Sequence, residues 1–248
     1  MPIAGLYKIF DHWHSEGTTW LYSDPHFNDA DLIAGVANRP DAETLIKMIN
    51  AKCGRNDTLI VLGDICDVKC VKKLRARQKI LIMGNHDAGR TNYERKIEKK
   101  CFDKEVYPTK ELALAEMKKL YPNCRYNIYE KFEFVRPYES WWIEADNMLF
   151  DEVYEGALMI GEKIILSHEP IINCPPWCVN IHGHVHTKSK KDAHHFNVCA
   201  DVIDYTPINF NQWMRAGHLA HIDTIHRETI DKAIVRKRKR GGKKIGER

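Results

Sequence analysis

Residues 58–64 read TLIVLGD and residues 79–87 read KILIMGNHD, and these two stretches decide the fold class. Each begins with a mostly apolar run that stops at a glycine and then at polar, metal-ligand-type residues. A continuous apolar run of this length predicts a strand buried on both faces, which is typical of the parallel sheets of α/β proteins. The same pattern recurs three more times, in TWLYS (19–23) before Asp24, KIILS (163–167) before His168, and VNI (179–181) before His182.

The segments between these strands predict helices. Residues 41–53 form an amphipathic pattern with Asp41 as a candidate cap, and a short helix is expected around 68–76. The stretch 101–148 interrupts the alternation and is predicted to be an insertion, with a helix at 109–120 followed by an aromatic-rich segment. Two interpretations of the insertion stay open here: it overhangs the functional site, or it is peripheral and has no catalytic role.

Charge is distributed unevenly along the 248 residues, whose formal net charge is +4. Residues 236–248 contain eight Lys or Arg and one Glu, a net charge of +7, so the remainder of the chain carries −3. We therefore predict one domain over residues 1–223, with the insertion at about 101–148, and a basic, disordered C-terminal tail over 224–248. Such a tail is also a candidate contact for nucleic acid or another polyanion.

Membrane insertion and export are not expected from this sequence. No run of about 18 apolar residues is present, so no membrane-spanning helix is predicted. The first residues, MPIAGLYKIF, lack the pattern of a secretory signal. The eight cysteines are therefore expected to be reduced thiols in a cytoplasmic protein.

The polar residues that follow the strands form one candidate metal-ligand set. Ligands in α/β sheets gather beyond the carboxyl ends of the strands, so five strand ends are expected to meet at one edge. In Asp24-x-His26 and His184-x-His186, alternate residues of an extended segment are expected to point the same way. The predicted ligands are Asp24, His26, Asp64, Asn85, His168, His184 and His186.

Carboxylate, amide and imidazole ligands of this kind suit two divalent ions, with Mn²⁺, Fe and Zn²⁺ all compatible. Hydrolysis of a phosphate ester needs two such ions close together, a carboxylate shared between them, an open position for water, and a proton donor for the leaving oxygen. Each short motif alone is weak, because Asp-x-His or Gly-Asp is usually a surface loop or turn. All of them together, in order and each behind an apolar strand, favour a metal-dependent phosphoesterase.

The same series of motifs resembles the calcineurin-like metallophosphoesterase superfamily over about residues 19–205. Within it, Asn38-Arg39-Pro40, the stretch from Asn197 to Asp201, and Tyr205-x-Pro207 are similar to a branch of small bacterial and phage phosphoesterases. The resemblance implies a four-layer αββα sandwich, in which two mixed β-sheets are flanked by helices.

The resemblance also implies a role for each residue of the set. Asp24, His26 and His186 would hold one ion, Asn85, His168 and His184 the other, and Asp64 would bridge them. A metal-bridging hydroxide would attack phosphorus, and His86 would act as the acid that protonates the leaving group. Asp87 would orient the His86 imidazole and raise its pKa.

Substrate identity is less constrained by the sequence. A small phosphomonoester, phosphodiester or nucleotide is expected, and Arg39 is a candidate for binding substrate phosphate, with a surface ion pair as the alternative. The Arg-Gly that follows the Gly-Asp motif in the superfamily's protein phosphatases is missing after Asp67. A nucleic-acid-processing nuclease, or an accessory protein held on nucleic acid by the tail, is the alternative function.

Overall fold

Two five-stranded sheets and a smaller three-stranded sheet make up the computed structural model of this protein. The structure describes residues 8–10, 17–87, 89, 92–132, 139–188, 192–222, 230 and 234. Nearly all of the predicted tail, 224–248, lies outside the described residues. No helix within these ranges has the combination of length and apolar character that crossing a membrane requires.

The first sheet contains three of the five strands that the apolar runs predicted, and the second sheet contains the other two. The order of the first sheet is β13-β2-β3-β4-β8, with β2 to β8 parallel and β13 antiparallel. Every residue of β3 and β4 is buried, as expected for strands covered on both faces. The strands are β2 (Thr19–Tyr22), β3 (Thr58–Val61), β4 (Gln78–Ile82), β8 (Glu152–Tyr154) and β13 (Ile208–Asn209).

The second sheet is also mixed and packs against the first. Its order is β1-β9-β10-β11-β12, and only the β9–β10 pairing is antiparallel among these strands. Buried side chains such as Ile60 and Ile80 from the first sheet and Leu166 and Ile181 from the second share one core. This confirms the predicted sandwich of two mixed sheets. The strands are β1 (Lys8–Phe10), β9 (Leu158–Ile160), β10 (Ile164–Leu166), β11 (Val179–His182) and β12 (His195–Asn197).

Helices cover the other face of the first sheet. In α2 (Ala42–Lys52), the Asp41 side chain accepts a hydrogen bond from the Thr44 amide, and one apolar stripe is buried, as predicted. The helix predicted at 68–76 is shorter than expected, since α3 spans Val68–Val71. The chain turns away there because the amides of Arg77 and Gln78 must reach the Asp57 carbonyl to start β4. The other described helices are α1 (Ala30–Gly35), α4 (Lys110–Leu120) and α5 (Phe210–Arg215).

The insertion forms a third sheet with a core of its own. Its strands β5 (Ile97–Asp103), β6 (Arg125–Phe132) and β7 (Glu139–Asp146) pair antiparallel in the order β5-β7-β6. The predicted helix is α4, capped by Thr109, and it buries Ala113 and Met117 against the sheet. The sheet thus begins slightly before the predicted boundary at residue 101.

The insertion is joined to the sandwich at the amino end of β4. The Lys79 ammonium donates to the Met148 carbonyl at 2.5 Å, and the Lys72 ammonium donates to the Asn123 carbonyl at 2.9 Å. Arg95 forms ion pairs with both Asp146 and Asp151. The predicted metal ligands follow the opposite, carboxyl ends of the strands, so these contacts favour the interpretation of the insertion as peripheral.

Candidate metal centre

The carboxyl ends of β2, β3, β4, β10 and β11 bring all seven predicted ligand residues to one edge. Asp64 lies between the two halves of the set. Its Oδ2 atom is 3.4 Å from His26 Nε2 and also 3.4 Å from His168 Nε2. One carboxylate oxygen therefore faces imidazoles on both sides, as a ligand shared by two ions requires.

One half of the set consists of Asp24, His26 and His186, whose ligand atoms lie within 4.8 Å of one another. Asp24 Oδ1 and His26 Nε2 are 3.8 Å apart. Both atoms are buried, and neither has a hydrogen-bond partner among the described residues. Buried polar atoms are rarely left unpaired, and a cation between these two would satisfy both of them. The residues present therefore fit a metal ion.

The other half joins Asp64 to His168, His184 and Asn85. The Asn85 Oδ1 atom is 2.9 Å from His168 Nε2 and 3.0 Å from His184 Nδ1. The two imidazole nitrogens are themselves 3.2 Å apart. Two ring nitrogens, an amide oxygen and a carboxylate oxygen thus converge, which is a donor set for a second divalent ion.

The backbone is left-handed at most of the candidate ligand positions. This conformation, rather than the alternation of a strand, sets the direction of the side chains. The φ angles are 55° at Asp24, 40° at His26, 59° at Asp64, 68° at His184 and 46° at His186. This corrects the expectation that Asp24-x-His26 and His184-x-His186 are extended segments. The loop after β2 instead runs beside the loop after β3, where the amides of Asp24 and His26 donate to the carbonyls of Gly63 and Asp64. Such conformations are strained for non-glycine residues and cluster at functional sites.

Two glycines next to the ligands are required by close approach. Gly63 has a φ of 89°, and a Cβ atom there would lie 2.4 Å from His168 Nδ1. A Cβ atom at Gly183 would lie 1.9 Å from Ser23 Oγ and 2.3 Å from Asp24 Oδ2. The predicted sharp turn at Gly63 is therefore present, and it also leaves room for a ligand from the other sheet.

Asp87 contacts the main chain of the ligand loops. Its side chain is fully buried, and its carboxylate accepts hydrogen bonds from the backbone amides of Asp64, Ile65 and Gly84 at 2.8 to 3.0 Å. These bonds tie the loop after β3 to the loop after β4. The predicted orientation of the His86 imidazole by Asp87 stays a prediction.

His86 lies beside the ligand set. Its backbone amide donates to Asp64 Oδ1 at 3.0 Å, and its ring stands edge-on to that of His26 with centroids 5.0 Å apart. The side chain is half-buried. The position therefore combines contact with the metal-ligand edge and access from solvent.

Arg39 lies against the backbone of the first ligand loop. Its Nη2 atom donates to the carbonyls of Asp24 at 3.2 Å and Pro25 at 2.7 Å, and its guanidinium lies 5.6 Å from the centre of the Tyr205 ring. Its Nη1 atom is buried and has no hydrogen-bond partner among the described residues. Substrate binding through Arg39 therefore stays a prediction.

Two carboxylates that orient ligand imidazoles were not assigned from the sequence. Asp29 accepts from His26 Nδ1 at 2.9 Å, and Asp201 accepts from His186 Nδ1 at 3.2 Å. Each bond leaves the Nε2 atom of the ring free to face a metal. Asp201 ends the Asn-Val-x-x-Asp stretch, so its spacing from the last histidines was the available signal. Asp29 carried no signal beyond its position three residues after His26.

The electrostatics of the ligand set favour cation binding. Burial opposes ionisation of Asp24, but the nearby polar groups of His26 and Ser23 prevail and lower its pKa to about 2. Burial likewise disfavours the protonated form of His26, yet Asp24 and Asp64 raise its pKa to about 12. The pKa of His186 is raised mainly by Asp201. Asp24 and Asp64, whose pKa values are both lowered, thus stay ionised, and a bound metal must displace the protons that the raised pKa values of His26 and His186 favour.

Comparison with known proteins bears on this geometry. A family model described as calcineurin-like phosphoesterase matches residues 17–188, which contain all seven candidate ligands. The chain belongs to the calcineurin-like phosphoesterases. It is therefore a metal-dependent phosphoester hydrolase, as members of this family are.

Other comparisons of this phosphoesterase are more distant. No sequence among curated proteins matches it. This chain is similar to the crystal structure of a protein of unknown function from Aquifex aeolicus, with 21% sequence identity and a TM-score of 0.47. The alignment covers 81% of this chain and 99% of the Aquifex chain. That likeness is too remote to carry an argument about function.

Proposed function

We propose that this phosphoesterase hydrolyses small phosphomonoesters or phosphodiesters, nucleotides included, with two divalent ions held side by side. The observation that carries the proposal is the position of Asp64 Oδ2, 3.4 Å from an imidazole nitrogen of each half of the ligand set. A carboxylate placed in this way offsets the repulsion between two neighbouring cations.

The ligand geometry supports a division between the two ions. Asp24, His26, Asp64 and His186 would hold one ion, and Asp64, Asn85, His168 and His184 would hold the other. Mixed oxygen and imidazole donors are compatible with Mn²⁺, Fe and Zn²⁺. When bound, the ions would supply Lewis-acid polarisation of the phosphate and activation of water.

The chain's own groups would then move a proton and fix the reacting centre. His86 would hold a proton toward the leaving-group oxygen, which its half-buried position at the metal-ligand edge allows. Asp29 and Asp201 would keep the rings of His26 and His186 in the orientation that metal binding needs. Asp87 and Arg39 would hold the ligand loops through main-chain hydrogen bonds.

Two variants test this proposal after reconstitution with Mn²⁺, Fe²⁺ or Zn²⁺. Asp64→Asn should abolish hydrolysis of both p-nitrophenyl phosphate and bis-p-nitrophenyl phosphate, because the shared anionic ligand is lost. His86→Ala should lower kcat by about 10²- to 10⁴-fold for either substrate, the range expected for loss of a general acid.

His195→Ala is the matched control, because His195 pairs with Asp192 outside the candidate metal groups. It should keep wild-type rates. The proposal fails if folded Asp64→Asn and His86→Ala proteins both retain wild-type rates with metal present. Independently of these variants, a screen of the reconstituted wild-type enzyme over nucleotides, cyclic nucleotides and aryl phosphates would distinguish monoester from diester substrates.

A cytoplasmic location belongs to the same proposal. All eight cysteines are free thiols in the structure, and Cys53, Cys70, Cys178 and Cys199 are buried. Cys199, for example, donates from its thiol to Asp24 Oδ2 at 3.2 Å. Reduced thiols in these positions suit a reducing compartment.

A further inference from the structure

A cationic groove lies at the end of the first sheet opposite to the metal-ligand edge. Its volume is about 730 Å³, and eight of its fourteen lining residues are Lys or Arg, while two are acidic. The groove includes Gln78 and Lys79, which open β4, whereas the candidate ligand Asn85 follows the other end of this strand. Five residues of strand correspond to about 16 Å, so the groove is separate from the metal centre.

The cations of the groove come from distant parts of the chain. Between α3 and β4, Leu74 and Ala76 are buried while Arg75 and Arg77 are exposed, so alternate side chains point outward. Arg55, in the turn before β3, and Arg125, at the start of β6, approach from either side. The fold therefore concentrates positive charge that is scattered in the sequence.

Neighbouring carboxylates neutralise only part of this charge. Asp146 pairs with both Arg95 and Arg125, and Asp151 pairs with Arg95 again. Lys73 pairs with Glu43, which lies outside the lining. Arg55, Lys72 and Arg75 have no carboxylate partner among the described residues, and this excess of positive charge raises the local concentration of anions.

Lys79 adds a desolvated ammonium group to the groove. Its side chain is only 5% exposed, and its Nζ atom donates to the carbonyls of Val71 and Met148. An ammonium group has three N–H donors, so these two bonds do not use all of them. Burial lowers the pKa of Lys79 even though Asp151 partly offsets it, so a bound anion would further stabilise the charged ammonium.

We propose that this groove binds an anion with two or more adjacent phosphate groups, either inorganic polyphosphate or the phosphate chain of a nucleotide. Arginine suits such a ligand, because its guanidinium pairs with phosphate oxygens in a fixed geometry. The volume is that of a small-molecule site. Among the described residues, the lining contains no aromatic side chain on which the bases of a nucleic-acid strand would stack.

Isothermal titration of the full-length, metal-loaded protein with inorganic triphosphate and with ATP tests the proposal. Arg75→Glu and Arg55→Glu should each weaken binding of both anions by at least about tenfold, the loss expected for one charged hydrogen-bonded contact. Arg215→Glu is the matched control, since Arg215 is exposed on α5, outside the groove, and the charge change is the same. It should bind like the wild type.

Each alternative has its own outcome. Hydrolysis of p-nitrophenyl phosphate at the wild-type rate would show that the groove variants are folded, and Arg75→Gln provides a milder second substitution. Unchanged triphosphate binding in both Arg55→Glu and Arg75→Glu would place the anion at the metal centre and overturn the proposal. Binding of a short oligonucleotide that depends on Arg75, with no binding of triphosphate or ATP, would overturn it in favour of nucleic acid.

Discussion

Asp29 and Asp201 bind the imidazoles of two candidate ligands, His26 and His186, on the ring nitrogen that faces away from the other ligands. Each accepts from a Nδ1 atom, so the ring is fixed in the tautomer whose Nε2 faces the ligand set. Asp201 is mostly buried and lies beside the loop that carries His186, whose backbone is left-handed. The Asp201 carboxylate therefore opposes rotation of the His186 imidazole, which is attached to a strained backbone.

Asp201→Asn should weaken metal binding about 10- to 100-fold, the usual effect of losing such a partner. The expected change is a higher metal concentration for half-maximal activity, with kcat at saturating metal largely recovered. Asp192→Asn is the matched control, because Asp192 accepts from His195 Nδ1 at 2.9 Å away from the centre. Equal metal requirements for the two variants would contradict the positioning role.

A second residue-scale prediction concerns Lys79. Burial lowers its pKa to about 8, whereas lysine in an unfolded chain has a pKa of about 10.4. The unfolded state binds this proton more tightly, so the free energy of unfolding should rise between about pH 8 and about pH 10.4. The rise amounts to about 3 kcal/mol and should be missing in Lys79→Met.

Denaturant unfolding at a series of pH values measures this effect as the difference between the variant and the wild type. The exposed Lys47→Met serves as the reference for a lysine in water. A pH-independent difference between Lys79→Met and the wild type would mean that Lys79 is not desolvated in the folded protein.

At the scale of single residues, the meeting of the candidate ligands at one edge could be predicted and the supports of their loops could not. Each candidate ligand follows an apolar strand, a pattern that is visible in the sequence. Asp87 and Arg39 bind backbone amides and carbonyls of segments distant in the chain. Main-chain partners have no sequence signature, so these supporting contacts were not predicted.

Among the elements, the insertion is the most self-contained. Phe102, Ala113, Met117, Ile143 and Ala145 form a buried cluster separate from the two clusters of the sandwich. Its α4 was predicted within one residue, because Thr109 caps it and apolar positions recur with helical spacing. The extent of α3 was overestimated, because the apolar Leu74 and Ala76 are buried in the irregular connection to β4 rather than in a helix.

Met117→Ala should destabilise the protein by about 2 to 5 kcal/mol, since Met117 is fully buried in the insertion. The value of kcat/KM for an aryl phosphate should not change, because the described contacts of the insertion lie at the amino end of β4. Leu112→Ala, on the exposed face of the same helix, is the control for stability. A loss of kcat/KM in folded Met117→Ala protein would support the overhanging interpretation.

For the whole molecule, the important arrangement is that both halves of the ligand set draw on both sheets. Asp24 and His26 follow a strand of the first sheet, while His186 follows a strand of the second. Asn85 follows the first sheet, while His168 and His184 follow the second. The apolar runs predicted the strands, but strand order depends on pairings between distant segments. The sandwich was therefore expected from family resemblance rather than from the runs themselves.

This division of ligands between the sheets has a kinetic consequence. In the proposed site, neither ion could find its full ligand set until the sheets have docked, because the candidate ligands span the chain from residue 24 to residue 186. Closing so long a loop comes late, so bound metal should slow unfolding and leave the folding rate nearly unchanged. Stopped-flow denaturant jumps with and without Mn²⁺ measure both rates. Faster refolding with Mn²⁺ would mean that the ligands already meet in the transition state.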